Sequence, residues 1–98
     1  MIVAISKFVV SNGMEREVAE AFANRPHKVD SAPGFVRMEV LSPEENPAEF
    51  WLVTYWERAE DFDHWHKNHR HDSHEFIPKG LKLDPKGTEL RVLERIAE

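Results

Sequence analysis

The sequence contains no cysteine, so neither a disulfide framework nor a thiolate metal site is available to it. It also lacks a long basic run and carries a formal net charge of −5. That balance argues against a nucleic-acid partner, whose phosphates demand clustered Lys and Arg. Met1 to Val10 is apolar, but it has no basic leader region and is far too short to span a bilayer. The expectation is a cytoplasmic protein with no membrane partner. Glycine and proline are sparse, at four and six residues, and no internal repeat, linker or low-complexity segment interrupts the chain. What remains is 98 residues of ordinary globular composition, read as a single domain over 1–98. A domain this small buries only roughly 60–70% of its unfolded surface, so association would help its modest core.

The pattern of residues then gives an order of elements. Ile2 to Val10 is rich in β-branched residues and ends at Ser11-Asn12-Gly13, which predicts a first strand closed by a turn. From Met14 the period becomes helical, with Met14, Val18, Ala21, Phe22 and Val29 on one face. Pro26 lies inside that stretch and predicts a kink or break, because its ring clashes with the carbonyl four residues earlier. Phe35 to Leu41 and Glu49 to Trp56 read as two strands of a hairpin, and Ala59 to Asn68 as a second helix. A helical turn is expected near Ser73 to Ile77, then a long loop from Pro78 to Gly87, then a last strand over Thr88 to Ile96. The order β-α-β-β-α-β is the split βαβ arrangement, an α+β ferredoxin-like fold with a four-stranded antiparallel sheet.

Both faces of that sheet are apolar in the first and third strands. Ile2, Ala4 and Phe8 oppose Val3, Ile5 and Val9, while Phe50, Leu52 and Trp56 oppose Trp51, Val53 and Tyr55. Two helices cover one face, so the other predicts a partner, most simply the same sheet of a second copy. A homodimer of the dimeric α/β-barrel type is therefore expected, with a loop folded beneath the sheet as the alternative.

Six histidines occur, five of them between His64 and His74. Some belong to a solvated surface. His66 with His69, or His71 with His74, share helical spacing suited to a divalent metal, with Asp72 or Glu75 to complete the sphere. A single imidazole could also serve as the axial ligand of a haem iron.

The run Phe50-Trp51-Leu52-Val53-Thr54-Tyr55-Trp56-Glu57, then Asp61-Phe62-Asp63-His64-Trp65, then His74, resembles the signature of the antibiotic biosynthesis monooxygenase family. Ser31-Ala32-Pro33-Gly34-Phe35 resembles that family's Pro-Gly-Phe turn. Within the family, the IsdG-like haem-degrading monooxygenases combine a first-strand Asn, a Trp on the second helix and a His nine or ten positions later. Trp65 and His74 match the last two, and Ser6 stands in the place of the Asn.

This resemblance implies a haem-degrading monooxygenase in which haem is both cofactor and substrate, with O₂ and an external electron donor. His74 would hold the haem iron, and Trp65, Phe22 and Phe62 would line the cleft, with Ser6, Trp65 and His74 as the catalytic set. Lys79, Lys82 and Lys86 could meet the haem propionates as a lid, solvated loop lysines being the commoner case. Two other readings accompany it: a cofactor-independent monooxygenase of a small aromatic substrate, and a non-catalytic binding or stress-response dimer. No nucleophile elbow, phosphate loop or Ser-His-Asp order is present to suggest other chemistry.

Overall fold

A computed structural model describes residues 1–68 and 77–98. Strand β1 (Ile2–Val9) leads into helix α1 (Glu15–Ala23), and a short 3-10 helix follows at Lys28–Ser31. The hairpin of β2 (Phe35–Leu41) and β3 (Glu49–Trp56) precedes helix α2 (Ala59–Asn68). A second 3-10 turn at Pro85–Gly87 introduces β4 (Glu89–Glu94). The four strands form one antiparallel sheet in the order β2-β3-β1-β4, which is the expected ferredoxin-like α+β fold.

The register confirms the sidedness read from the alternation. Ala4 lies opposite Thr54 and Phe8 opposite Phe50, and these positions face the helices. Val3 opposite Tyr55, Ile5 opposite Val53 and Lys7 opposite Trp51 form the outer face. That face is apolar around Val3, Ile5 and Val53, with Lys7 and Glu49 toward one end. It is edged by Arg37 and Glu39 of β2 and by Glu89 and Arg91 of β4. Aromatic rings there carry polar partners. Trp51 Nε1 donates to Glu49 Oε2 at 2.6 Å, Tyr55 donates its hydroxyl to Glu39 Oε1 at 2.7 Å, and Arg37 lies 4.3 Å over the Tyr55 ring.

Helix α1 is shorter than the period suggests. Asn24 follows its last residue, and the Asn24 side chain donates to the Glu20 carbonyl at 2.9 Å. Arg25 precedes Pro26, a position disfavoured for helix, and His27 then takes a left-handed conformation at φ 57°. The break reverses the chain. Val29 therefore leaves the face of α1 on which its spacing placed it and joins the opposite half of the core.

That core is divided in two. Phe8, Val10, Val18, Phe22 and Phe50 pack beneath α1, while Ala4, Val29, Trp56 and Phe62 pack beneath α2. Phe8 joins the first group, with ring centroids 5.4 Å from Phe50 and 6.2 Å from Phe22. Trp56, with no exposure, joins the second at 5.5 Å from Phe35, 5.8 Å from Phe62 and 5.7 Å from Trp65. On β1 the residue between the two groups is Ser6, too small to bridge them.

The last strand ends at Glu94, two residues before the expected Ile96. The stretch before it is no free loop. Val10 and Leu83 form an isolated antiparallel bridge, Ser11 N donates to Lys82 O at 2.9 Å, Asp84 N donates to Val9 O at 2.8 Å, and the Asn12 amide donates to Gly80 O at 2.7 Å. No described helix is long and apolar enough to cross a membrane.

Candidate functional site

The seam between the two halves of the core opens into a cavity of about 390 Å³ on the helix side of the sheet. That volume lies within the usual range for small-molecule sites, roughly 300–1,000 Å³. Its floor comes from alternate residues of the central strands, Ala4, Ser6 and Phe8 of β1 with Leu52 and Thr54 of β3. One wall is Phe22 of α1, and another is Phe62, Trp65 and His66 of α2. Ile77, Leu81 and Leu83 close a third side, held there by the hydrogen bonds that tie their segment to the end of β1.

Four residues singled out from the sequence thus meet in one place: Ser6, Phe22, Phe62 and Trp65. Phe62 and Trp65 are three apart on α2 and share its inner face. Ser6 reaches the floor because it falls on the same side of β1 as Ala4 and Phe8. Its hydroxyl has no hydrogen-bond partner among the described residues. His74 lies outside the described residues, as do His69, His71, Asp72 and Glu75.

Among the described residues, no group of three or more His, Asp or Glu side chains is placed to hold a metal ion. His66 instead stacks on Phe62, with ring centroids 5.4 Å apart and planes at 22°. His64 bonds to the Asn68 side chain at 3.3 Å.

Of the two readings of the loop lysines, the solvated one holds. Lys79, Lys82 and Lys86 are exposed and absent from the cavity lining. The reason lies in the backbone: the hydrogen bonds of Lys82 O to Ser11 N and of Asp84 N to Val9 O turn Leu81 toward the cavity, leave Leu83 at its mouth, still 40% exposed, and point the lysines out. The rim is formed by Arg25, His27 and Lys28, delivered by the break at Pro26. Arg25 Nη1 donates to Asp30 Oδ1 at 3.1 Å, and His27 Nδ1 lies 3.0 Å from Asp30 Oδ2. Burial raises the Asp30 pKa, but hydrogen bonds from Arg25 and His27, with their charges, outweigh it and hold the carboxyl below its ordinary value. The sequence signal for this rim was the basic cluster Arg25-Pro26-His27-Lys28 at the helix break.

The cavity is thus apolar, with aromatic walls, a hydroxyl on its floor and a basic rim. Over 64 residues the chain is 34% identical to a haem oxygenase (mycobilin-producing) of Mycobacterium tuberculosis, covering 65% of this chain and 61% of that relative's length. The solved structure of the M. tuberculosis haem degrader MhuD, with two haems bound in its active site, superposes with a TM-score of 0.80 at 26% identity, covering 100% of this chain and 98% of that one. SnoaB, a cofactor-independent oxygenase from Streptomyces nogalater, shares the fold with a TM-score of 0.76 at 18% identity, covering 99% and 94%. Residues 1–75 match the family model for antibiotic biosynthesis monooxygenase. The chain belongs to the antibiotic biosynthesis monooxygenase family.

Proposed function

We propose that this protein is a haem-binding, haem-degrading monooxygenase. The observation that carries the reading is the convergence of Ser6, Phe22, Phe62 and Trp65 on one apolar cavity from three separate elements. The similarity to the M. tuberculosis haem oxygenase over 65% of the chain supports the same substrate. His74 is the proposed iron ligand, by its spacing of nine residues from Trp65. Haem, when bound, would supply the redox centre at which O₂ is reduced by electrons from an external donor. The chain's own part is to bury the ring among Phe22, Phe62 and Trp65, to exclude water, and to hold it in one orientation. Ser6 places one hydroxyl at the floor, where it can donate to charge that develops on the substrate side.

A second copy completes the proposed assembly. The outer face carries Val3, Ile5 and Val53 in an apolar strip between charged edges, with Lys7 and Glu49 at one end, and an identical strip on another sheet is its natural complement.

Haemin titration of the wild type beside His74→Ala tests the reading. Expected is a sharp Soret band for the wild type and loss of the imidazole-ligated spectrum in His74→Ala, with His64→Ala and His71→Ala close to wild type. Equal loss in all three would mark non-specific uptake by the histidine cluster. The replacement of the haem degraders' Asn by Ser6 favours a second reading, a cofactor-independent oxygenase of a small aromatic molecule. No haemin binding together with O₂ uptake on phenolic substrates would select it.

A further inference from the structure

His66 stands on the cavity wall beside Phe62 and Trp65, and the haem reading gives it no part. It lies four residues after Phe62, so the two side chains share one face of α2. Their rings are stacked with centroids 5.4 Å apart and planes at 22°, and His66 is half-buried. Stacking occupies a face of the imidazole and leaves its edges, where both nitrogens lie, clear of Phe62. His64, exposed on the same helix, has the Asn68 side chain for a ring nitrogen at 3.3 Å. His66 has no hydrogen-bond partner among the described residues. A half-turn of its ring about Cβ–Cγ exchanges nitrogen for carbon along either edge and keeps the stack. A nitrogen can therefore be turned toward whatever fills the cavity.

Other polar groups around the cavity are already engaged. The Thr54 hydroxyl takes the Trp56 indole N–H and reaches the Ala4 carbonyl, while Arg25 and His27 at the rim are joined to Asp30. A guest that fills the cavity displaces water from the His66 edge, and a donor on the guest makes good that loss. We infer that His66 is a specificity-determining residue, accepting a hydrogen bond from the hydroxyl of a flat aromatic alcohol. The ligand class is a phenol, as opposed to an arene or aryl ether of the same shape. A neutral imidazole suits this contact because one of its nitrogens is always an acceptor, and the tautomer follows the guest. The inference rests on the reading of the cavity as the ligand site. It gives the second proposed function a residue that recognises its substrate, since haem carries no phenolic hydroxyl.

The test is a fluorescence titration of the full chain with 2-naphthol and 2-methoxynaphthalene, which differ by one methyl group on the oxygen. It is run at about pH 8, between the ordinary values of a free imidazole and a phenol. An apolar cavity with no acceptor prefers the ether, because the naphthol hydroxyl gives up its water without replacement. Wild type should instead prefer the naphthol by roughly three- to tenfold, the worth of one net hydrogen bond. His66→Phe keeps an aromatic ring on Phe62 and removes both nitrogens, so it should reverse the preference while the ether still binds. His66→Gln, which restores an acceptor without the ring, should return part of the naphthol preference. Equal binding or an ether preference in wild type, or a naphthol preference retained in His66→Phe, would overturn the inference. So would equal loss of both probes in that variant, which marks a packing role, or binding of neither probe by wild type. Haemin titration keeps the two readings apart. If haemin binds and the naphthol preference is absent, this inference falls and the haem reading stands. If haemin fails to bind while the preference holds in wild type and is lost in His66→Phe, the haem reading falls and this one stands.

Discussion

The indole N–H of Trp56 donates to Thr54 Oγ1 at 2.8 Å, and both side chains are buried on the helix side of β3. The Thr54 hydroxyl in turn points to the Ala4 carbonyl at 3.4 Å, a long and weak contact. Trp56 is fully buried and carries the aromatic stack of one half of the core. Thr54→Val keeps the shape and removes the acceptor, leaving a buried donor unpaired. The expected loss is about 1–3 kcal/mol. Urea denaturation checks it: the midpoint should fall with no change in slope, and an unshifted midpoint would refute it.

Gly34 should tolerate no side chain. Its φ is +80°, its carbonyl accepts from Glu57 N at 2.8 Å, and a Cβ built on it runs into the Asp61 carboxylate. Asp61 cannot swing away freely, because Arg58 holds both its oxygens at 3.2 Å. Gly34→Ala should cost about 2 kcal/mol or more, combining left-handed strain with the collision. Adding Asp61→Gly, which removes the Asp61 Cβ together with its carboxylate, should recover the collision component, and a double mutant showing no recovery relative to Asp61→Gly alone would contradict this account.

The sheet face offers a test of assembly. The wild type should scatter as a dimer at micromolar concentration. Ile5→Glu puts a charge into the centre of the apolar strip, opposite Val53, and should produce monomers. A monomeric wild type would defeat the proposed assembly.

Ser6→Asn should speed haem loss in the presence of a reductant. The amide brings two N–H donors on a longer side chain, where serine brings one hydroxyl. One preorganised donor can be worth on the order of 3 kcal/mol, a hundredfold in rate or more. Haem affinity should stay within a few-fold, because burial of the ring does not depend on this position. Decay curves identical to wild type would mean that Ser6 is not the counterpart of the relatives' Asn.

The Asp30 link should show itself in acid. Its folded pKa is below the ordinary 3.8, so the stabilisation is complete well above that value and is lost as pH falls through the folded pKa. The carboxylate is 43% exposed, which screens the pair and limits its worth to about 0.5 kcal/mol. Wild type and Asp30→Asn should differ by that amount at pH 7 and converge near pH 2. A gap that persists in strong acid would point to packing in place of charge.

Much of this arrangement was legible in the residues. The period of two in β1 and β3 predicted which side chains face the helices, and the family resemblance placed Phe62 and Trp65 at the cleft. Pro26 announced a break. What it could not announce was the direction of the chain beyond it, which depends on His27 accepting a left-handed conformation and on Asp30 catching both neighbours. Val29 was assigned to α1 for that reason, and Arg25 passed unnoticed. The lysines of 79–86 stayed open between a lid and a solvated surface, because loop composition says nothing about which residues turn inward. The pairing of Val10 with Leu83 decides that, and it is a contact between residues far apart in sequence.

The divided core has a consequence for how this fold changes. Each half has its own aromatic stack, one around Phe8 and one around Trp56, and Met38 packs against both. The void at Ser6 is lined by core residues of both halves, Phe8 and Phe22 of one and Ala4, Val29 and Phe62 of the other. A change in its floor or walls is therefore felt in the core, whereas a change at its rim need not be. The rim itself is irregular chain, which accepts insertions and new side chains more readily than strands do. A lineage built on this plan can exchange one guest for another while its framework stays the same.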